Sequence, residues 1–546
     1  MSKSQWWESA VFYQIYPRSF LDSNGDGEGD LAGITSRLSH VSELGADAIW
    51  LSPFYTSPNH DGGYDVADPR DVDPRHGTLA DAKTLFDRAH ELGLKILVDV
   101  VPNHFSDEHV WFQAALASPK GSPERARFHF LDGKTSTTPP NNWISLFGGP
   151  AWTQVEDGQW YLHLFDSSQP DLNWENEDIN ADFEKTLRFW IDLGADGFRI
   201  DVAHGLVKEN ITQDHYDPQG LSNALRLDVE MSAEARGKLL ASVPFFDRDG
   251  VHEIYRQWRT IFDSYDREIM AVAEAWVHPP ERATLYVRPD ELQQVFNFDL
   301  LVARFDDQEI FDCIDRTLTL IGGVGATPTW ALSNHDTPRL VSRIGEKQAR
   351  AMALFTYGLP GAAYIFQGQE LGLPDAELLD SDRQDPAFFR TKGVQKGRDG
   401  ARVPLPWKGE TSPFGFTTGK PWLPIPQDWA TKTFEKQSGD SASSLEMYRE
   451  LLTLRKGLNP TASDARAVDD FIWTQRPNGT GLIAYKRGST EIILNTSESD
   501  IVLKRTGRII FSSEISGMPT AFTARPDSST VGDIVLSPLT AIWIVD

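Results

Sequence analysis

Residues 80–101 read ADAKTLFDRAHELGLKILVDVV, and this stretch decides the fold. Over residues 80–92 apolar side chains recur at helical spacing, and the pattern ends at Gly93. Residues 95–101 then form a short run of aliphatic and β-branched side chains, which is typical of a buried strand. A helix followed at once by a buried strand predicts one unit of a parallel α/β sheet.

The same unit recurs along the whole chain. A second helical pattern, residues 182–193, also ends at a glycine, Gly194. Eight strand-like runs alternate with helical patterns, at residues 11–16, 48–51, 95–101, 197–202, 270–273, 294–296, 329–332 and 363–366. This alternation predicts an α/β fold closed as a (β/α)8 TIM barrel.

Two further regions interrupt or follow the predicted barrel. Residues 104–174 are too many for an ordinary loop and predict a small inserted domain after the third strand. Beyond Gly457, short strands at 471–473, 482–486, 491–494 and 508–511 predict a C-terminal antiparallel β-sandwich. The predicted domains are the barrel at 1–103 and 175–460, the inserted domain at 104–174 and the β-domain at 461–546.

Composition and charge exclude several classes of partner. The chain has 79 acidic and 52 basic residues and a formal net charge of -27, which repels nucleic acid and anionic membranes. The most apolar stretch, 351–366, is shorter than the roughly 18 residues of a membrane-spanning helix. A single cysteine, Cys313, and residues 1–10 without the apolar run of a signal peptide predict a cytoplasmic protein. The sequence does not determine the oligomeric state.

Three carboxylates follow predicted strands. Arg199 and Asp201 lie two apart on the fourth strand, so both side chains point to one face, and the arginine favours an ionised, nucleophilic aspartate. A structural ion pair is the alternative. Glu274 ends the fifth strand among apolar neighbours that favour its protonated form, which suits a general acid. Asp336 follows the seventh strand, so all three converge at the carboxyl ends of the strands. Two carboxylates, one acid and one nucleophile, are the usual apparatus of a retaining glycosidase.

The motifs DVVPNH at 99–104, GFRID at 197–201, Glu274 and NHD at 334–336 occur in the order of a known family. With them the chain resembles the α-amylase family, glycoside hydrolase family 13, over essentially its whole length. DGGYDV at 61–66 and QPDLN at 169–173 are similar to its oligo-1,6-glucosidase and α-glucosidase branch. The resemblance implies that Asp201 is the nucleophile, Glu274 the acid/base and Asp336 the residue that grips sugar hydroxyls.

The resemblance also implies a set of substrate contacts. His104, His335 and Tyr64 match positions that touch the sugar, beside Arg199 at the carboxylates. Asp61 and Arg398 resemble the pair that closes the pocket behind the terminal glucose, with Arg402 as the alternative arginine. The aromatic residues Phe147 and Phe165 are predicted pocket walls, for which a simple core role is the alternative.

Residues 22–30, DSNGDGEGD, place oxygen side chains at alternate positions, as a loop around a hard cation does. The twelfth position of an EF-hand loop is Gly33 here and not glutamate, and a metal-free turn is the alternative. The resemblance favours a structural divalent cation, Ca²⁺ or Mg²⁺, and no organic cofactor. Its predicted ligands are Asp22, Asn24, Asp26, the Glu28 carbonyl and Asp30.

Taken with the resemblance, the motifs predict an exo-acting retaining α-glucosidase that releases glucose from the non-reducing end of short α-glucosides through a covalent glucosyl-enzyme intermediate. Maltose-type substrates are expected, with α-1,6 and other linkages and transglucosylation also open. The alternatives are a transglucosylase or isomerase acting on sucrose or maltose, and a non-catalytic binding relative. Val202 after the nucleophile goes with α-1,6 linkages in this branch, but the continuation VAHG at 202–205 departs from the branch pattern.

Overall fold

The computed structural model describes residues 5–226, 231–458, 470–504, 507–514 and 534–545. The predicted boundary at residues 460 and 461 lies outside this range. Eight short parallel strands, numbered β1 to β8 in chain order, form the central sheet. They are β1 (Val11–Ile15), β2 (Ala48–Leu51), β3 (Lys95–Val100), β4 (Gly197–Ile200), β5 (Met270–Ala273), β6 (Gln294–Val295), β7 (Thr329–Ala331) and β8 (Ala362–Phe366).

The strands are hydrogen-bonded in the order β6-β5-β4-β3-β2-β1-β8-β7, so each strand lies beside its neighbours in the chain and β8 returns to β1. The predicted TIM barrel is confirmed. Register places Asp99 of β3 opposite Arg199 of β4, which in turn lies opposite Val272 of β5. Side chains needed at the carboxyl ends of neighbouring strands are therefore brought side by side.

The junction between β6 and β7 is closed by a side chain. The Thr329 hydroxyl donates to the Val295 carbonyl at 2.8 Å and accepts the Asn297 N–H at 3.0 Å. Thr329 is 1% exposed and its bond to the Val295 carbonyl is buried, so this carbonyl has no water as a substitute partner. This contact, which we call the β6–β7 seam, completes the ring of strands.

Helices cover the outside of the barrel and several loops. Asp30 and Thr78 cap two of them by accepting N–H groups of the first turn. The longer helices are Leu31–Leu44, Leu79–Glu91, Glu177–Leu193, Val251–Asp263, Asp307–Thr317, Glu346–Thr356 and Ser444–Leu458. The shorter helices are Val110–Ala117, Pro123–Ala126, Pro218–Ala224, Ala233–Leu240, Asp299–Val302, Leu340–Ile344, Pro386–Arg390, Asp399–Arg402 and Phe434–Gln437. None of the helices in the described ranges is both long and apolar enough to cross a bilayer.

The insertion between β3 and β4 contains two short helices and a three-stranded antiparallel sheet. Its strands are Phe130–Asp132, Gln159–Leu162 and Trp152–Gln154, in that spatial order. The buried Lys208 ammonium ties this insertion to the barrel: it contacts the Asp171 carboxylate at 2.9 Å, the Asn103 side chain at 2.9 Å and the Gly205 carbonyl at 2.7 Å. Loops from β3, β4 and the insertion thus share one cation.

The C-terminal region is a β-sandwich, as predicted. Its five-stranded antiparallel sheet has the spatial order Phe471–Gln475, Leu482–Arg487, Thr490–Asn495, Thr540–Val545 and Arg508–Ser512. A two-stranded sheet, Ile501–Leu503 with Ile534–Leu536, packs on one face through aliphatic side chains. The other face contacts the barrel helix Glu346–Thr356, where Trp543 donates to the Leu354 carbonyl at 3.0 Å.

We expect Thr329→Val to lower the thermal stability of the protein. The substitution keeps the shape but removes both seam hydrogen bonds, and the buried Val295 carbonyl left unpaired costs on the order of 1–3 kcal/mol. The melting temperature, followed by circular dichroism, should fall by a few degrees, whereas Thr329→Ser should melt close to the wild type. A Thr329→Val protein that melts with the wild type would show that the hydroxyl does not close the barrel.

Candidate active site

One buried guanidinium lies at the centre of the site. Arg199 Nη1 contacts Asp99 Oδ1 at 2.9 Å and Asp201 Oδ1 at 2.6 Å, and its Nη2 contacts Glu274 Oε2 at 2.6 Å. The carboxylates come from the ends of β3, β4 and β5. Asp99 was absent from the predicted site residues, although its motif was recognised, because its role depends on the register between β3 and β4.

Burial and mutual repulsion oppose the ionisation of these carboxylates. Burial raises the pKa of Asp201 well above its ordinary value, and Glu274 and Asp99 raise it further while Arg199 lowers it. Burial likewise raises the pKa of Asp99 to about 6. The expected effect of Arg199 on the pKa of Asp201 is present, but burial and the two neighbouring carboxylates, which share the same guanidinium, act against it.

The surroundings of Glu274 are more polar than its sequence neighbours predicted. Besides Arg199, its Oε2 accepts the N–H of Val202 at 3.1 Å, and Trp276 Nε1 lies 3.4 Å from its Oε1. The expectation of a purely apolar environment is therefore wrong at the ion-paired oxygen. Val202 has φ 43°, a left-handed conformation that is rare for a β-branched residue and that accompanies its N–H contact with Glu274.

A second ionic group, which we call the floor, is centred on Arg398. Arg398 Nη2 contacts Asp61 Oδ1 at 2.6 Å, its Nη1 contacts Asp336 Oδ1 at 3.1 Å, and its Nε contacts Asp385 Oδ2 at 2.7 Å. Arg402 contacts the same Asp336 oxygen at 2.9 Å. The two arginines that the sequence offered as alternatives thus act together, and Arg398 pairs with Asp61 as expected.

The floor carboxylates differ in charge state. Burial alone would raise the pKa of Asp336, but His335, Arg398 and Arg402 hold it well below its usual range, so this carboxylate is ionised. The pKa of Asp385 is lowered to about 2, because Arg398 and Arg402 outweigh its burial. Asp385 was not predicted, since nothing in its local sequence indicates an arginine that follows 13 residues later.

Neutral histidines and aromatic rings surround the carboxylates. Burial lowers the pKa of His104 to about 4 and that of His335 well below its ordinary value. His335 Nδ1 lies 2.7 Å from the Gln14 side-chain amide, and its Nε2 lies 3.3 Å from Asp336 Oδ2. Tyr64 stacks on His335 with ring centroids 5.2 Å apart. An imidazole nitrogen and a carboxylate oxygen thus lie side by side, an arrangement suited to a sugar hydroxyl.

The predicted aromatic walls lie close to the same groups. Phe165 lies 5.2 Å from the His104 ring and 5.6 Å from the Phe147 ring, measured between centroids. The Arg398 guanidinium lies 4.9 Å from the Phe147 ring. The structure therefore brings every predicted catalytic and substrate residue into one cluster at the carboxyl ends of the strands.

This arrangement agrees with what comparison to known proteins shows. The family model for the α-amylase catalytic domain matches residues 14–463. The chain belongs to the α-amylase family. It is 37% identical to an oligo-1,6-glucosidase of Parageobacillus thermoglucosidasius, over 83% of this chain and 84% of the relative. It is 38% identical to a probable alpha-glucosidase of Rhizobium meliloti (strain 1021), over 86% and 85%.

Among solved structures, the trehalulose synthase MutB from Pseudomonas mesoacidophila MX-45 has a TM-score of 0.84 and 30% identity, with both chains fully covered. A structure of the alpha-glucosyl transfer enzyme XgtA has the same TM-score and 32% identity, also with full coverage. The chain is therefore a glycoside hydrolase of the α-amylase family, and the alternative of a non-catalytic relative loses its support.

The predicted cation loop lies apart from the carboxylates and folds as successive turns. Asp22 Oδ1 accepts the Asn24 and Gly25 N–H groups, and Asp30 caps the helix Leu31–Leu44. The Glu28 carboxylate contacts Arg18 at 2.7 Å. No group of three or more His, Cys, Asp or Glu side chains in the described ranges is placed to hold a metal ion. The predicted ligand set also includes the Asn24 side chain and the Glu28 carbonyl, and the cation stays a prediction.

Cys313 is buried beside the helix surface of the barrel, and burial raises the pKa of its thiol to about 12. A buried thiol of this kind packs as a small apolar side chain.

We expect Asp201→Asn to reduce turnover by on the order of 10³-fold or more, because an uncharged amide cannot form a covalent intermediate. Folding should persist, since removing one of three carboxylates from Arg199 relieves repulsion. Steady-state rates and melting temperature would be measured beside Asp192→Asn, a control on the exposed barrel surface. If Asp201→Asn kept a tenth of the wild-type kcat, Asp201 would not be the nucleophile.

Proposed function

We propose that this protein is an exo-acting, retaining α-glucosidase that releases glucose from the non-reducing ends of short α-glucosides. The observation that carries the proposal is the pocket floor, where Arg398 joins Asp61 to Asp336. In this proposal the ion pairs close the pocket behind the terminal glucose. A single terminal sugar can then enter, and a long glucan cannot pass through the site. The names of the relatives, oligo-1,6-glucosidase and alpha-glucosidase, agree with this substrate class.

The position of the two reacting carboxylates supports retention of configuration. Asp201 and Glu274 lie on neighbouring nitrogens of the Arg199 guanidinium, each at 2.6 Å. This favours the close spacing of roughly 5–5.5 Å used by retaining enzymes over the roughly 6.5–9.5 Å that accommodates a water in inverting enzymes.

In the proposed mechanism Asp201 attacks the anomeric carbon and forms a glucosyl ester, while Glu274 protonates the leaving oxygen. Glu274 then takes a proton from water, and that water breaks the ester and releases glucose. The ionised Asp336 and neutral His335 bind sugar hydroxyls, which holds the ring over the nucleophile.

Transfer of glucose to another sugar is the second candidate function. It is favoured by the similarity to MutB, whose structures include a complex with sucrose, and to the glucosyl transfer enzyme XgtA. The chemistry up to the ester is the same, and only the acceptor differs. Product analysis at low substrate concentration separates the two: free glucose supports hydrolysis, and isomerised or longer sugars support transfer.

We also propose a cytoplasmic location. The buried, lone Cys313 is compatible with a reducing compartment.

Substrate preference tests the proposed function. We expect maltose and isomaltose both to be cleaved, with kcat/KM values that differ by less than about 200-fold, since an apolar contact such as Val202 contributes only about 1–3 kcal/mol to discrimination. Amylose should be a poor substrate, and the glucose first released should be the α-anomer by proton NMR. Rapid internal cleavage of amylose would overturn the closed pocket, and initial β-glucose would overturn the retaining mechanism.

We keep a divalent cation at residues 22–30 as a separate proposal, supported by the alternating oxygen side chains and by the exposure of Asn24 and Asp26. If it binds, Ca²⁺ should raise the melting temperature by a few degrees relative to EDTA, because a ligand held only by the folded state stabilises it. Asp26→Ala should remove this difference, and Asp192→Ala should not. Equal melting temperatures of the wild type in Ca²⁺, Mg²⁺ and EDTA would identify the loop as a metal-free turn.

A further inference from the structure

The aromatic walls of the pocket stand on loops of the insertion. Phe147 lies in a turn, outside any helix or strand. Phe165 lies in a second loop, after the strand Gln159–Leu162. Their rings meet edge to face at 5.6 Å, at an interplanar angle of 69°. Because neither residue belongs to a helix or strand, the position of each ring depends on what holds its loop.

Arg390 contacts both of these loops from the opposite side of the pocket. Its Nε donates to the Gly148 carbonyl at 3.0 Å, and its Nη2 donates to the Pro150 carbonyl at 3.3 Å. Its Nη1 contacts Asp166 Oδ1 at 3.4 Å. One guanidinium therefore holds the residue after Phe147 and the residue after Phe165.

The backbone at the contact is shaped for close packing. Gly148 has φ +90°, and a Cβ there would lie 3.1 Å from the Thr391 methyl group. A side chain at residue 148 would be strained and would also push the loop away from the helix Pro386–Arg390.

The same short helix reaches the pocket floor at its other end. Asp385 caps it by accepting the Ala387 N–H at 2.9 Å, and also accepts the N–H and Nε of Arg398, each at 2.7 Å. The helix thus connects the ionic floor, through Arg398, with the aromatic walls, through Arg390. Since its two ends are fixed by charged contacts, it sets the distance between floor and walls.

We propose that Arg390 is a positioning residue that holds Phe147 and Phe165 against the terminal glucose and so determines affinity for the non-reducing sugar. The inference rests on the proposed function. Aromatic rings that pack on a sugar contribute through their fixed placement, and a loosened wall loses binding energy before the reacting atoms are disturbed. A residue acting only in folding would change stability and leave sugar binding unchanged.

The test compares Arg390→Ala and Arg390→Gln with Lys396→Ala. Lys396 lies in the same excursion and is a cation, but its ammonium contacts Asp380 at 2.8 Å on the exposed side. With 4-nitrophenyl α-glucoside we expect KM, and the inhibition constant for glucose, to rise about tenfold in both Arg390 variants. The value of kcat should stay within about threefold of the wild type, and Lys396→Ala should match the wild type.

A combined variant identifies the route of the effect. If Arg390 acts by holding the two rings, adding Arg390→Ala to a Phe147→Ala, Phe165→Ala variant should weaken glucose binding little further, because both rings have already gone. Additive losses, or Arg390 variants with unchanged KM and a lower melting temperature, would overturn the inference. A wild-type enzyme that releases no glucose from any α-glucoside would instead overturn the proposed function itself, and the inference with it.

Discussion

The rest of the site depends on the burial of Arg199. This side chain is 1% exposed, so its charge is stable only with carboxylates in direct contact. It takes one from each of three adjacent strands, which fixes their register and the orientation of their last residues. The positive charge of Arg199 also offsets the repulsion between the three carboxylates, so they can lie close together. The contacts that stabilise the buried arginine in the barrel interior are consequently the same contacts that place the catalytic carboxylates.

Further buried cations extend the same principle outward. Lys208 joins the insertion to the β3 and β4 loops, and Arg398 joins the β2 and β8 excursions across the pocket floor. These loops are therefore anchored by Lys208 and Arg398, because a buried cation is stable only in contact with opposite charges. Long connections without regular structure are ordinarily mobile, and these contacts compensate for the lack of secondary structure.

The sequence predicted the bounds of the barrel strands to within two residues, because strand and helix periodicities are local signals. It also located Asp201, Glu274 and Asp336, since each follows its strand directly. It missed Asp385 and Arg390, whose partners are distant in the chain and appear only when the loops fold over the barrel. It misjudged the surroundings of Glu274 for the same reason: the neighbours in sequence are apolar, but Arg199 arrives from another strand. In the 22–30 loop the pattern of a cation site and that of a plain turn coincide, so periodicity cannot separate them.

The β6–β7 seam also divides the chain for folding. From β1 to β6, each strand pairs with the strand before it in the chain. Each new strand can therefore add to the previous one as the chain is synthesised. On the other side, β8 pairs with β1, joining Ala363 to Val11, and β7 is held in the sheet only through β8 and the seam. Closing the ring therefore waits for the longest loop closure in the barrel, a kind of contact that forms slowly. Until the ring closes, the backbone N–H and C=O groups at the outer edges of β1 and β6 have no partner strand. Unpaired strand edges of this kind are prone to pair with other chains during folding.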